Sequence, residues 1–193
     1  METDSKALAT ALLVMDIQTM TMQRLGDGAE TPIAAINRAI AAARAAGIPV
    51  IYVVVGFRKG FPEIGPSNKS FSVIRQAGAI PGLEDPVIVD PAVKPQPGDI
   101  VVTKRRVSAF AGSDLEVILR ARRIEHLVLS GFATSGVVLS TLREAADKDY
   151  RLSVLSDACA DLDEEVHTVL MNKVFPRQAE VMKAAEWATG VGK

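Results

Sequence analysis

The feature that most constrains the fold is a series of short apolar segments that alternate with segments of helical composition. Five of the apolar segments are rich in valine, isoleucine and leucine, which is typical of strands buried on both faces of a sheet. Strands that alternate with helices in this way predict an α/β fold, with a parallel sheet between layers of helices. The predicted strands are residues 11–18, 49–57, 99–105, 125–132 and 150–157.

Residues 58–98 interrupt the alternation with a long segment that is rich in proline and glycine. Only one short helix, near residues 70–77, is predicted within it. Long irregular segments in compact domains often build binding sites. Residues 179–188 could form a last strand, a last helix or one of each. The other predicted helices are residues 31–47, 114–123, 136–149 and 163–175.

The charge balance excludes some classes of partner. The 193 residues include 22 Lys and Arg and 23 Asp and Glu, so no basic field exists to attract nucleic acid or an anionic membrane. No apolar run reaches membrane-spanning length, and the first ten residues lack the pattern of a signal peptide. The single cysteine excludes an intrachain disulfide framework. We therefore expect one cytoplasmic domain over residues 1–193.

Two charged residues close neighbouring strands. Asp16 ends the first predicted strand and Lys104 ends the third. Sites in parallel sheets form beyond the carboxyl ends of the strands. Asp16 could simply cap a turn, and Lys104 could extend into solvent from the sheet end. If they pair, the lysine keeps the acid ionised or positions its proton, which suits acid–base chemistry.

A turn of mostly small residues, 131–136, links the fourth predicted strand to a helix. Small residues let a ligand approach the backbone closely, and the first N–H groups of the helix are free to bind it. Such a turn can hold a carboxylate or stabilise an oxyanion. It could also be an ordinary turn that Thr134 or Ser135 caps. Cys159 follows a strand, where a lone cysteine is more often a small buried hydrophobe than a nucleophile.

The sequence contains the blocks LLVMDIQ (12–18), KRRVSAF (104–110), GFATSGVVLST (131–141) and LSVLSDACAD (152–161). Their order and spacing resemble those of the isochorismatase-like hydrolases, also called the cysteine hydrolase superfamily. From about Leu12 to Val181 the chain resembles this family, which includes nicotinamidases, carbamoylsarcosine and ureidoacrylate amidohydrolases, and isochorismatases. The resemblance implies a three-layer, Rossmann-like α/β/α fold whose six-stranded parallel sheet has the order 3-2-1-4-5-6.

The resemblance also implies roles for single residues. The family's catalytic Asp and Lys match Asp16 and Lys104, and its nucleophilic cysteine matches Val137. An isopropyl group cannot attack a carbonyl, so the covalent thioester route is closed at this position. The family further implies a cis peptide bond between Phe132 and Ala133, with the N–H groups of Ala133 and Val137 directed at a substrate carbonyl.

Three interpretations of Val137 remain open. The first is a hydrolase that acts without a thioester on a small carboxylate or amide, or on an enol ether, since isochorismatases also lack the cysteine and their Asp protonates a vinyl ether. The second is a catalytically inactive member that binds a small molecule. The third is a substitute nucleophile, Ser135 or Thr134, although both lie too early in the turn. We predict the hydrolase.

The remaining predictions concern ligands and partners. We expect neither a cofactor nor a metal, because the segment after the second strand lacks the histidines of the nicotinamidase metal site. The resemblance implies a homodimer or a larger homo-oligomer. The residues expected to contact the substrate are Gln18, Phe57, Arg58, Phe110, Thr134 and Ser135.

Overall fold

The computed structural model describes residues 9–77, 83 and 88–191. They form a parallel six-stranded sheet with the order β3-β2-β1-β4-β5-β6 and with helices on both faces. This is the predicted fold and the predicted strand order. The strands are β1 (Thr10–Met15), β2 (Val50–Val55), β3 (Ile100–Lys104), β4 (His126–Phe132), β5 (Arg151–Ala160) and β6 (Glu180–Met182).

The helices follow the predicted alternation, with one addition. The segment 179–188 contains both a strand and the start of a helix, and α1 is a helix that the sequence did not predict. Met22 is its only buried residue, so α1 has no apolar stripe to reveal it. The helices are α1 (Thr19–Leu25), α2 (Glu30–Ala45), α3 (Lys69–Ala77), α4 (Leu115–Ala121), α5 (Leu139–Asp147), α6 (Glu164–Val169) and α7 (Ala184–Gly190).

The helix predicted over residues 163–175 is shorter than expected. Regular α-helix ends at Val169, and the chain continues through a π-helical turn over Leu170–Val174 and a 3-10 turn over Phe175–Arg177. Pro176 lies within that last turn and has no N–H to extend the helix.

The sheet is buried on both faces, which explains why β1 is apolar from Ala11 to Met15. Leu13 and Met15 belong to the apolar cluster that includes residues of α4 and α5. Leu12 and Val14 point the other way, into the cluster that includes residues of α2 and α7. Side chains alternate between the faces of a strand, so a strand between two helical layers needs apolar residues at every position.

The register brings the carboxyl ends of three strands to one edge. Met15 of β1 lies beside Gly131 of β4, and β2 connects β1 to β3 so that Val55 lies beside Lys104. Gly131 has a φ of 144°, and a Cβ at this position would lie 2.2 Å from the carbonyl oxygen of Met15. Only glycine fits such a close approach between neighbouring backbones.

Candidate active site

A cavity of about 330 Å³ lies where β1, β3 and β4 end. Five of the residues that the sequence predicts for the site line this cavity. The expected groups therefore meet at the carboxyl ends of the strands. They are Asp16, Lys104, Ala133, Ser135 and Val137.

Asp16 and Lys104 form a buried ion pair beside the cavity. Lys104 Nζ lies 2.9 Å from Asp16 Oδ2, and the two side chains are 2% and 12% exposed. Lys104 therefore does not extend into solvent but pairs with Asp16. Nζ also donates to the carbonyl oxygens of Arg106 and Val107, each at 3.0 Å. An ammonium group has three N–H donors, and these three acceptors occupy all of them.

The other oxygen of Asp16 is in a different situation. Oδ1 is buried and has no hydrogen-bond partner among the described residues. Burial raises the pKa of Asp16, and the nearby charge and hydrogen bond of Lys104 oppose that rise without cancelling it. The carboxyl therefore holds a proton more readily than an aspartate in water, although a fixed cation stands beside it.

The turn after β4 forms a second wall of the cavity. The Phe132–Ala133 peptide bond is cis, as the family resemblance implies. Residues Thr134–Val138 then form a π-helical turn that leads into α5, and the carbonyl oxygen of Ala133 accepts hydrogen bonds from the N–H groups of Gly136 and Val138. Val137 is buried and presents an apolar side chain to the cavity.

The segment after β5 holds this turn in place. Thr134 Oγ1 donates to the carbonyl oxygen of Ala160 at 2.9 Å and contacts His167 Nδ1 at 2.8 Å. A hydroxyl has one hydrogen, so His167 Nδ1 must be the donor in the second contact. Thr134 is thus buried and engaged twice, and it is absent from the residues that line the cavity.

Asp161 makes a parallel contact with the same turn. Its Oδ2 accepts a hydrogen bond from the backbone N–H of Ser135 at 2.7 Å, and its Oδ1 accepts one from the N–H of Leu162 at 2.8 Å. Burial alone would raise the pKa of Asp161, but hydrogen bonds from Ser135, Asp163 and Leu162 lower it. The Asp161 carboxylate therefore stays charged beside the cavity and is bound to backbone groups.

Comparison with known proteins identifies the family. Residues 10–186 match the family described as the isochorismatase domain. The chain belongs to the isochorismatase family. Ureidoacrylate amidohydrolase RutB of Variovorax paradoxus is 37% identical over 174 residues, which cover 79% of this chain and 69% of that protein. The family is one of hydrolases, and the predicted hydrolase class is confirmed at this level.

Solved structures of the family share the fold over nearly the whole chain. An isochorismatase family protein from Burkholderia thailandensis is 29% identical, with a TM-score of 0.83 and 96% of both chains covered. A cysteine hydrolase from Pseudomonas syringae pv. phaseolicola is 26% identical, with a TM-score of 0.84, 97% of this chain and 98% of that chain covered. Among the described residues, no helix is long and apolar enough to cross a membrane.

Two residues expected to contact substrate lie elsewhere. Gln18 turns towards β2, where its side-chain amide accepts from the N–H of Val55 at 2.9 Å and donates to the carbonyl oxygen of Val55 at 3.1 Å. Phe57 is buried against Phe61 and Phe71 in a small aromatic cluster. Neither lines the cavity.

Arg58 and Phe110 are also outside the cavity lining. Arg58 forms an ion pair with Glu63 at 2.7 Å, and its side chain is 68% exposed. Phe110 stacks on Tyr150, with ring centroids 6.1 Å apart. Arg58 follows β2 and Phe110 follows β3, and both strands end at the edge of the sheet that carries the cavity. The two side chains nevertheless make their contacts elsewhere.

The structure adds cavity residues that the sequence did not indicate. Arg24 comes from α1, which was not predicted, and Phe71 and Ile74 come from α3 in the long segment after β2. Asp161 could have been noticed, because it closes the LSVLSDACAD block just past β5. Arg24 had no comparable signal.

Cys159 lies on β5 and is only 5% exposed. Its Sγ is 4.0 Å from the carbonyl oxygen of Leu129. Burial raises the pKa of the Cys159 thiol to about 12, so almost no thiolate forms at neutral pH. The expectation of a buried, structural cysteine is confirmed.

Proposed function

We propose that this protein is a hydrolase that acts without a covalent thioester on a small carboxylate or amide, or on an enol ether. Asp16 is the acid–base group, and Lys104 is its partner. The observation that carries the proposal is the buried Asp16 carboxyl, which lines the cavity with one oxygen tied to Lys104 and the other without a described partner. A partly desolvated carboxyl with a raised pKa is suited to proton transfer.

The absence of a thioester route rests on two residues. Val137 stands where the family resemblance places the nucleophile, and its side chain carries no group that can attack a carbonyl. The single cysteine of the sequence, Cys159, is buried on β5 with a pKa of about 12. Catalysis would therefore activate water directly.

For an amide or ureido substrate, the ionised Asp16 carboxylate accepts a proton from water. The water oxygen bonds to the carbonyl carbon, and the carbonyl π electrons move to its oxygen. The N–H groups of Ala133 and Val137 are the expected donors to that oxyanion. The oxyanion then re-forms the carbonyl, the C–N bond breaks, and Asp16 returns its proton to the nitrogen. The ureidoacrylate amidohydrolases among the relatives support this substrate class.

For an enol ether, the protonated form of Asp16 acts first. Its proton adds to the terminal carbon of the double bond, which leaves an oxocarbenium ion stabilised by the ether oxygen. Water adds to the cationic carbon and passes a proton to the Asp16 carboxylate. The resulting hemiketal breaks down to a carbonyl compound and an alcohol. The raised pKa of Asp16 favours this route, because it keeps the proton available at a higher pH.

The test is a hydrolysis screen of purified protein against ureido acids, simple amides and enol-ether acids. Asp16→Asn is the test variant, and Asp147→Asn, an exposed carboxylate on α5, is the matched control. General acid–base catalysis contributes about 10²–10⁴-fold, so Asp16→Asn should lower the rate by at least 100-fold while the control keeps it. A loss below about tenfold for Asp16→Asn would remove the catalytic role.

A second variant separates the hydrolase from a binding protein. Val137→Cys places a thiol in the cavity beside a lysine, where a cation can lower the pKa of the thiol. If the wild-type protein is inactive against every class but binds one of the compounds, and if Val137→Cys then hydrolyses an amide, the natural protein is a binding protein on a hydrolase scaffold.

A further inference from the structure

We infer that the ligand of this cavity carries an anionic group, a carboxylate in the substrate classes above, and that Arg24 is the residue that binds it. The inference rests on the proposed function for the location of the substrate site. It adds a specificity-determining residue. It also makes a negatively charged group a requirement for every ligand, whereas the proposed function leaves uncharged ligands possible.

The other basic residues near the cavity are already occupied. Lys104 donates its three N–H groups to Asp16 and to two carbonyl oxygens, so none remains for a ligand. Arg105 donates to the carbonyl oxygen of Gly56 and lies 3.8 Å from Glu63. Arg106 donates to the carbonyl oxygens of Arg105 and Glu63. Neither arginine lines the cavity.

Arg24 differs from all of these cations. It lies in the last turn of α1, is exposed, and lines the same cavity as Asp16 and Val137. Among the groups that the structure describes, none forms a hydrogen bond or an ion pair with its guanidinium group. A guanidinium presents a planar fork of N–H donors that matches the two oxygens of a carboxylate.

No described acid in the lining forms an ion pair with this cation. Asp16 and Lys104 neutralise each other at the sheet edge. Asp161, the remaining described acid in the lining, makes no ion pair with Arg24 and is bound to backbone N–H groups instead. Much of the rest of the lining is apolar, including Met20, Phe71 and Ile74.

Dimensions and placement agree with this assignment. A cavity of about 330 Å³ is at the small end of the range for ligand sites and suits a molecule of a few carbon atoms. Asp16 lies at the end of β1, and Arg24 lies at the far end of the helix that follows it. A ligand held by its carboxylate at Arg24 would keep its reactive group free to meet Asp16.

The test measures binding rather than turnover, with probes that differ only in charge. The acids are 5-oxohexanoate and 2-methylidenebutanoate, in which CH2 replaces the scissile nitrogen and the ether oxygen, and each neutral partner is the methyl ester. Calorimetry on the wild-type protein, in which Asp16 still neutralises Lys104, should give dissociation constants about 10- to 100-fold lower for at least one acid than for its ester. Adding Arg24→Gln should bring that ratio close to one, whereas Arg24→Lys should retain part of it.

The matched control is Arg38→Gln, because Arg38 is an exposed arginine on α2 that does not line the cavity. It should leave the acid-to-ester ratio unchanged. A cation in the last turn also stabilises a helix, so Arg24→Gln could lower the thermal midpoint, but this effect alone would not change the ratio between two ligands.

Three results would overturn the inference: equal binding of acid and ester by the parent protein, no binding of either pair, or an unchanged ratio in Arg24→Gln. A failure of the proposed function has a different signature. The wild-type protein would then hydrolyse nothing, while the preference for acids and its loss in Arg24→Gln would remain.

Discussion

Two ion pairs of this protein have similar lengths and opposite electrostatic consequences. Lys104 Nζ lies 2.9 Å from Asp16 at the cavity, with side chains 2% and 12% exposed. Lys148 Nζ lies 2.6 Å from Glu116 between α4 and α5, with side chains 28% and 40% exposed. The pKa of Asp16 is raised, because burial outweighs its lysine. The pKa of Glu116 is lowered, chiefly by its hydrogen bond to Lys148.

The difference shows that solvent access, rather than distance, determines whether the pKa of the paired carboxyl is raised or lowered. At the surface, the lysine simply favours the charged carboxylate, and water screens the rest. In the interior, both groups lose their hydration, so the pair is costly to form and more costly to break. Of the two pairs, only the buried one leaves a carboxyl ready to exchange a proton, and both of its members line the candidate active site.

The largest expected effect is the loss of one partner from the buried pair. Lys104→Met leaves the Asp16 carboxylate buried without a counter-ion, and we expect the free energy of unfolding to fall by about 3–5 kcal/mol at neutral pH. The deficit should shrink as the pH falls, because Asp16 can then be protonated. Urea denaturation at several pH values measures both effects. A deficit that does not depend on pH would contradict the electrostatic explanation.

The pH profile of hydrolysis sharpens the comparison next. If Asp16 acts as a base on amides, kcat/KM should fall about tenfold per pH unit below its folded-state pKa, which lies above the ordinary value of 3.8. If it acts as an acid on enol ethers, the rate should fall as the pH rises through the same pKa. Identical pH profiles for the two substrate classes would contradict opposite roles of Asp16 in the two reactions.

The raised pKa of Asp16 also determines how its contribution to stability changes with pH. The folded state binds the Asp16 proton more tightly than the unfolded chain, so this group contributes stability that is complete below pH 3.8 and is lost as the pH rises through its folded-state pKa. Comparing wild type with Asp16→Asn over this window isolates that contribution from those of other carboxylates.

Cys159 extends the comparison to a buried titratable group that has no counter-ion. With a pKa of about 12 it should not react with iodoacetamide in the folded protein, and mass spectrometry should find the adduct only after unfolding in urea. Cys159→Ala should leave the hydrolysis rate unchanged within assay error. Rapid inactivation of the folded wild-type protein by the reagent would instead indicate a thiol mechanism.

The smallest expected effect is at the exposed pair. Glu116→Gln removes the carboxylate that Lys148 contacts, and the unfolding midpoint should stay within the error of the measurement, because exposed pairs contribute little. Hydrolysis should also be unchanged, since neither residue lines the cavity. A shift as large as that of Lys104→Met would show that burial does not separate the two pairs.

Much of the fold follows from the sequence, because strands buried on both faces leave an unmistakable apolar pattern. The same logic found Asp16 and Lys104, since the carboxyl ends of parallel strands meet at one edge. It could not give side-chain directions beyond the strand ends. Gln18 lies only two residues after Asp16, yet it bonds to Val55 of β2 instead of entering the cavity. Arg24 was missed because α1 buries a single residue and carries no periodic signal.

The close approach of Gly131 to the carbonyl oxygen of Met15 limits how this scaffold can diverge. Walls of the cleft that consist of side chains can be exchanged one at a time, and each exchange alters the chemistry or the shape locally. Even a single methyl group at Gly131 would force β4 away from β1, which would shift the turn that carries Ala133 and Val137 relative to Asp16. The distance between β1 and β4 at the cavity therefore requires glycine at position 131. New specificities have to arise from side chains around the cavity while this distance stays fixed.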